Sequence, residues 1–264
     1  MNRILLSRDR FGIKPLYYTV KDDILYFSSE IRALLAAGIP AEMSIEKLAE
    51  FFKYRQIEQR YKTHLKNIFP LEPGKNLLIN LNNGEIKEEK YYELSDLFSF
   101  DVPNDVNEAA EMFGNLLRDA VNLRMHADVP VQTLLSGGLD SSALSALACN
   151  SQSSYVKTLS CVFPGNENDE SYYSDMVAEY LGTDHSKIKN RSDMFFDTYD
   201  EVIKAQDFPT YSEKHVARYL LYKHAACSSK VILEGQGGDE VFGGYGAIYK
   251  IYRDYYQSKM GVDL

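Results

Sequence analysis

Two short loops in this chain carry residue types suited to phosphate chemistry. The first, Ser136-Gly137-Gly138-Leu139-Asp140-Ser141-Ser142, follows the apolar run Val129-Pro130-Val131-Gln132-Thr133-Leu134-Leu135. Adjacent glycines let the backbone turn sharply and come close to an anion. The N–H groups that open a following helix lack partners and carry positive potential, which suits phosphate oxygens. Ser136, Ser141 and Ser142 can add hydroxyl donors. Asp140 would repel a bare phosphate, so its carboxylate makes sense with a cation in between, and Mg²⁺ is the hard cation expected. The second loop, Glu234-Gly235-Gln236-Gly237-Gly238-Asp239-Glu240-Val241-Phe242-Gly243-Gly244-Tyr245, leaves another apolar run, Val231-Ile232-Leu233. Its glycines imply tight backbone beside a ligand, and Asp239 offers a second metal-binding carboxylate facing Asp140. The first loop is not the GxxxxGK[ST] turn of phosphoryl-transfer ATPases, because no lysine closes it. Taken singly, such motifs are weak: a Ser/Gly turn occurs in many α/β proteins, and a glycine-rich acidic loop can simply be solvated.

The elements around these loops argue for a site at strand ends. Strands are expected at 129–135, 158–163, 186–189 and 230–233, with helices at 141–149, 171–181, 191–204 and 212–227. Such alternation predicts a parallel sheet with helices on both faces, binding ligands at the carboxyl ends of its strands. A helix precedes it, opened by Asp105 with Glu108 as a capping box and carrying Val106, Ala109, Ala110, Phe113, Leu116, Leu117, Ala120 and Leu123 at helical spacing. The first ninety residues read differently, as an α+β pattern. Strands are expected at 3–7, 16–20 and 24–28, and a helix N-capped by Ser29 and stopped at Gly38. Ser44 opens a second helix with Ile45, Leu48, Ala49 and Phe52 on one face, and 77–87 forms a β-hairpin. Pro103 and Asn104 break the chain between two domains, 1–100 and 101–264.

Composition narrows the classes. With 45% hydrophobic and 25% charged residues the chain is globular rather than disordered. A net charge of −9 argues against broad nucleic-acid binding, and the tyrosines are not interleaved with Lys and Arg as a base-stacking platform would be. No apolar run approaches the ~20 residues that span a bilayer, and no signal peptide opens the chain, so no membrane partner is expected. Cys149, Cys161 and Cys227 have no CxxC spacing, which fits a reducing, cytoplasmic setting. His64, His126, His185, His215 and His224 lack metal-ligand spacing, and Lys87-Glu88-Glu89-Lys90 reads as a solvated connector.

The Ser-Gly-Gly-x-Asp-Ser pattern resembles the PP-loop of ATP pyrophosphatases, which attack the α-phosphate of ATP and release pyrophosphate. With the loop at 234–245 it closely resembles the synthetase domain of glutamine-hydrolysing asparagine synthetases. Ser7-Arg8-Asp9-Arg10-Phe11-Gly12-Ile13-Lys14-Pro15-Leu16-Tyr17-Tyr18, Phe27-Ser28-Ser29-Glu30-Ile31-Arg32-Ala33-Leu34 and Leu71-Glu72-Pro73-Gly74 resemble the later part of that family's glutaminase domain. The resemblance implies an α/β PP-loop ATP-pyrophosphatase-type sheet preceded by a partial α+β N-terminal-nucleophile glutaminase-type domain. It implies a carbon-nitrogen ligase in which aspartate attacks ATP to give β-aspartyl-AMP, and ammonia drawn from glutamine then displaces AMP.

Carried over by position, the resemblance has Ser136, Gly137, Gly138, Asp140, Ser141 and Ser142 hold pyrophosphate while Asp140 and Asp239 share Mg²⁺. Leu134 and the backbone near Cys161 line the adenosine pocket, and Gly235 contacts nucleotide. Glu234 stands where some members have a nucleotide-contacting serine, and Gln236 where well-known members have a glutamate implicated in forming the intermediate. The partners implied are aspartate, ATP, and glutamine or ammonia, with a homodimer left open. The family's glutaminase nucleophile is an amino-terminal cysteine, whereas this chain starts Met1-Asn2-Arg3. A lysine supplied further along by the family has no counterpart in Lys250 or Lys259. The expectation is an incomplete form, with synthesis impaired and nucleotide binding kept. Two alternatives stand beside it: a β-lactam-synthetase-like amidotransferase or cyclase, and a non-catalytic nucleotide-binding protein.

Overall fold

A computed structural model of the chain describes residues 2–54, 62–97, 101–151, 156–167, 169–190, 194–207, 212–246, 249–251 and 253–255. Residues 191–193, placed on a helix by the sequence, and Lys259 lie outside the described residues. The chain divides into two compact units, residues 1–102 with 203–211, and residues 103–202 with 212–264.

The first unit contains β1 (Arg3–Ser7), β2 (Tyr17–Lys21), β3 (Ile24–Ser28), α1 (Ile31–Ala36), α2 (Ile45–Tyr54), β4 (Phe69–Pro70), β5 (Lys75–Asn80) and β6 (Ile86–Lys90). They form two antiparallel three-stranded sheets, ordered β1-β5-β6 and β3-β2-β4. Period-two alternation on β5 buries Leu77 and Ile79 with Leu6 and Leu71. The turn after β1 is knitted by its own side chains. The Arg8 guanidinium donates to the carbonyls of Leu71 (2.6 Å), Lys14 (3.1 Å) and Gly12 (3.1 Å). Asp9 accepts the N–H groups of Phe11 (3.2 Å), Ile13 (3.0 Å) and Lys14 (2.8 Å). Partial burial pushes the Asp9 carboxyl upward, but these backbone donors outweigh it and hold the group below the usual carboxylate range.

Three expectations for this unit need correction. Ser29 does not cap α1; the N-cap is Glu30 without a side-chain bond, and its N–H donates instead to the Ser28 hydroxyl. Lys87–Lys90 is not a connector: it belongs to β6, whose ladder runs from Ile79↔Ile86 to Lys75↔Lys90 and leaves every β6 residue exposed. Backbone pairing, which charge composition does not report, decides it. The face of α2 carrying Ile45 and Phe52 is exposed, at 70% and 74%. That helix buries Lys47 instead, whose ammonium pairs with Glu50 at 2.7 Å.

The second unit runs α3 (Val106–Met125), β7 (Val131–Leu134), α4 (Leu139–Ser151), β8 (Lys157–Val162), α5 (Ser171–Leu181), β9 (Asp184–Lys189), α6 (Met194–Gln206), α7 (Glu213–Ala225), β10 (Val231–Leu233) and α8 (Gly238–Phe242), with the end of α6 grouped with the first unit. The strands form one fully parallel sheet, ordered β10-β7-β8-β9. Asp105 caps α3 as its sequence predicts, accepting the N–H groups of Asn107 and Glu108. The buried face of α3 is turned from the expected one: Val121 and Met125 pack with Val131, Ala148 and Val156, while Leu116 and Leu123 are exposed. Wholly buried Leu135 and Leu159 stiffen the strand ends, each worth about 1.5–3 kcal/mol. His185 bonds Thr158 between neighbouring strands, a structural role.

The strand order sets the place of the site. From β7 the chain moves outward through β8 and β9, then returns to lay β10 on the other side of β7. The strand order thus reverses between β7 and β10, and the loops leaving these neighbours lie at a topological switch point, where an open parallel sheet forms its crevice.

Candidate functional site

Residues 135–138 link β7 to α4, and the helix starts at Leu139, which puts Asp140 in its first turn. Ser141 staples this loop. Its hydroxyl donates to the Gly138 carbonyl (3.1 Å), so the proton shared with Ser136 Oγ (2.9 Å) comes from Ser136. Ser141 Oγ also accepts the Ser136 N–H (3.2 Å), and Ser136 Oγ the Gly138 N–H (3.2 Å). These two hydroxyls thus shape the loop before any ligand arrives. Ser142 Oγ differs: it is buried with no hydrogen-bond partner among the described residues, which leaves one donor unspent. Beneath the loop, Leu135 N–H bonds the Leu159 carbonyl (2.9 Å), Ser160 Oγ donates to the Leu135 carbonyl, and Thr133 and Ser145 hydroxyls meet at 3.0 Å.

Gly137 has φ +90°, and a Cβ there would lie 2.6 Å from the Ser174 nitrogen and 2.6 Å from the Tyr173 Cβ. The first turn of α5 therefore presses on the loop, and only glycine fits between them. That turn is held by Asp169, whose carboxylate accepts the N–H groups of Phe163 (3.3 Å) and Ser171 (3.2 Å) and the Ser171 hydroxyl.

The second loop closes over Asp140. A Cβ on Gly235 would stand 3.4 Å from the Asp140 Cβ and 3.4 Å from the Ser141 nitrogen. One on Gly238 would stand only 2.5 Å from Asp140 Oδ2. The Asp140 carboxylate is thus seated on bare backbone, and the two sequence motifs meet. Asp239 follows directly as the second residue of α8, with its carboxylate turned back on Gly244. Phe242 of α8 packs edge-on against Phe113 of α3, their centroids 5.3 Å apart.

Leu134 ends β7 half-buried beside Leu159. Cys161 pairs with Ile188 near the end of β8, and burial, with Asp169 nearby, pushes its thiol up to about 11. Glu234 and Gln236 are held from α7. Tyr222 Oη donates to Glu234 Oε2 at 3.0 Å, and Arg218 Nη2 donates to Gln236 Oε1 at 3.0 Å. Burial, followed by the Glu234 charge, raises the Tyr222 phenol to about 12, so it stays a donor. Neither Arg218 nor Tyr222 was legible as a site residue: their partners lie 18 and 12 positions away. The only retrospective signal is that they stand four apart on one helix face.

The chemistry of these donors suits a hard cation. Among the described residues neither Asp140 nor Asp239 has a cationic partner, and no group of three or more His, Cys, Asp or Glu could hold a metal alone. A cation here would complete its shell with phosphate oxygens and water, as Mg²⁺ does when one or two carboxylates hold it. A separate cleft of about 760 Å³, lined by Asn122, Met125, His126, Asp128, Asn150 and Ser151 among others, sits at the opposite end of α4 from the loop.

Comparison with known proteins decides the family. The asparagine synthase family model matches residues 112–260, more than half of the chain, and a glutamine amidotransferase domain model matches residues 1–92. The chain belongs to the asparagine synthase family. A Methanocaldococcus jannaschii protein, provisionally named asparagine synthetase [glutamine-hydrolyzing] 2, is 37% identical over 254 residues, which are 92% of this chain and 47% of that protein. Bacillus subtilis asparagine synthetase [glutamine-hydrolyzing] 1 is 30% identical over 250 residues, 94% of this chain and 38% of that one. Penicillium rubens amidase chyE is 31% identical over 265 residues, 93% and 38%. The chain thus spans less than half the length of these curated relatives. Among solved structures, an NH3-dependent NAD synthetase from Campylobacter jejuni is similar with a TM-score of 0.37 and 17% identity, covering 52% of this chain and 60% of that one. No helix among the described residues is long and apolar enough to cross a membrane.

Proposed function

We propose that this asparagine-synthase-family chain supplies the ATP site for making asparagine from aspartate, through attack of the aspartate side-chain carboxylate on the α-phosphorus of ATP. The observation that carries this is the meeting of the two loops at the switch point, with Asp140 seated on Gly235 and Gly238. A free carboxylate resists amine attack, and adenylation gives it a good leaving group. Chemistry of this kind asks the protein for positioning and for charge neutralisation at phosphate.

In this reading Ser136, Gly137, Gly138, Ser141 and Ser142 hold the pyrophosphate end through helix-start N–H groups and the unspent Ser142 hydroxyl. Leu134 and the strand backbone at Cys161 border adenosine, and Glu234 and Gly235 flank the nucleotide. Gln236 contributes to forming the intermediate. Asp140 and Asp239 would hold Mg²⁺, which supplies neutralisation of phosphate charge when bound. Residues 1–100 form the amidotransferase-type part and 101–264 the synthetase part, with glutamine or free ammonia as nitrogen source. The setting is cytoplasmic, and a homodimer is the assembly to test. The decisive assay is exchange of labelled pyrophosphate into ATP: it must depend on aspartate. Strong exchange with another carboxylate and none with aspartate sinks the substrate assignment. Similarity to a fungal amidase favours that second reading, in which the same ATP site serves another carboxylate. Calorimetry with MgATP separates both from a non-catalytic nucleotide binder, which binds without producing AMP.

A further inference from the structure

Helix α7 holds the second loop at two alternate residues. Arg218 and Tyr222, four apart and therefore on one face of the helix, bond Gln236 and Glu234, which are two apart in the chain. The adjoining flank, one residue round the helix, is fixed too: Tyr219 and Lys223 both donate to Glu201 Oε2, at 2.9 and 2.7 Å. The Arg218 bond has a consequence for Gln236. A guanidinium has donors and no acceptor, so the amide atom facing it at 3.0 Å must be the oxygen. The amide nitrogen is then the group left for another partner, and among the described residues it donates to none. In the chain Gln236 lies between Gly235, where an added Cβ would meet Asp140 and Ser141, and Gly238, where one would meet the Asp140 carboxylate. Among the described residues Arg218 forms no ion pair within 4 Å, and the Glu234 carboxylate held by Tyr222 is the charge that shares its surroundings.

We propose that Arg218 is a positioning residue: by occupying the Gln236 amide oxygen, it turns the amide nitrogen into a fixed donor toward the anionic nucleotide bound beside Asp140. This rests on the ATP-site reading above. Gln236 would then act by donating to developing negative charge rather than by accepting a proton, and Arg218 adds positive potential behind it.

The test uses side-chain amide NMR on the ¹⁵N-labelled protein with MgATP as probe. The Gln236 pair is assigned by its loss in Gln236→Glu, and the Gly138 backbone amide reports loop occupancy. In the wild type, MgATP shifts both the Gln236 pair and Gly138. In Arg218→Met the Gln236 pair moves to the position of solvent-exposed glutamines and no longer responds, while Gly138 still does. Arg218→Lys, which keeps a donor, restores the response. Aspartate-dependent exchange in Arg218→Met loses about 10–100-fold in turnover, with KM for ATP within about twofold, as expected for loss of a transition-state donor. A Gln236 pair that is unmoved by Arg218→Met, or by MgATP while Gly138 shifts, overturns the inference and leaves the ATP site standing. A wild type in which neither signal responds overturns the ATP reading and the inference with it.

Discussion

Replacing Gly238 with alanine tests whether Asp140 must rest on bare backbone. The added Cβ would lie 2.5 Å from Asp140 Oδ2, 2.6 Å from Cγ and 2.8 Å from Cβ. Ordinary contact between heavy atoms is near 3.5 Å, so the carboxylate has to retreat by about 1 Å. A displacement of that size at a reacting centre costs on the order of 100-fold, or about 2.7 kcal/mol of barrier. Gly238 opens α8 and is not among the glycines with positive φ, so alanine meets no backbone strain there. The overlap itself should cost about 1–3 kcal/mol of stability, while aspartate-dependent pyrophosphate exchange of the folded protein falls by about two orders of magnitude. Gly114→Ala on α3 is the internal control: its Cβ would meet nothing within 4 Å, so exchange should change by no more than about twofold. Full exchange in Gly238→Ala, or equal losses in both variants, would refute the reasoning.

Gly137→Ala should act on stability as well as on function. It combines a positive φ with contacts of 2.6 Å to α5, and the loss expected is about 2–4 kcal/mol, read as a lower urea midpoint for the second unit. Asp9→Asn should weaken the first unit by about 1 kcal/mol at pH 7, since only part of its backbone-accepting capacity survives. The folded Asp9 pKa lies below its unfolded value, so its contribution is present above about pH 3.9 and fades as pH falls through the folded value. Wild type and variant should draw together in urea titrations as the pH is lowered below about 3.9 if that sign is right. Cys161, pushed up to about 11, should resist a thiol reagent at pH 8 while exposed Cys227 reacts; equal labelling of the two counts against the burial described.

Much of the second unit was legible because its signals are local. Asp105 caps α3 through N–H groups two and three residues on, and the alternation of apolar runs with helical segments gave the parallel sheet. The loop at 136–142 was legible because its glycines and acid are contiguous. What the sequence hid depends on distant partners. Ser136 and Ser141 read as phosphate donors, yet the structure spends both hydroxyls on the loop itself. Arg218 and Tyr222 look like ordinary helix-surface residues until β10 brings Gln236 and Glu234 alongside. The apolar faces read on α2 and α3 mark amphipathic helices correctly, but periodicity does not say which flank the unit buries. Ser29 failed as a cap because Ser28, one residue earlier, already bonds the Glu30 N–H.

The pairing of β10 with β7 also imposes a timetable. Ser136 is synthesised roughly a hundred residues before Gly235, which at about 5–20 residues per second is a gap of some 5–20 s. Throughout that interval the loop at Ser136–Ser142 can take shape on β7 and β8, while Asp140 has nothing to sit on. The closing strand is only three residues long and, among the described residues, pairs with Val131, Gln132 and Thr133 alone. Docking it is thus a late and easily reversed event, and a nucleotide that bridges both loops would act as the latch that makes it permanent.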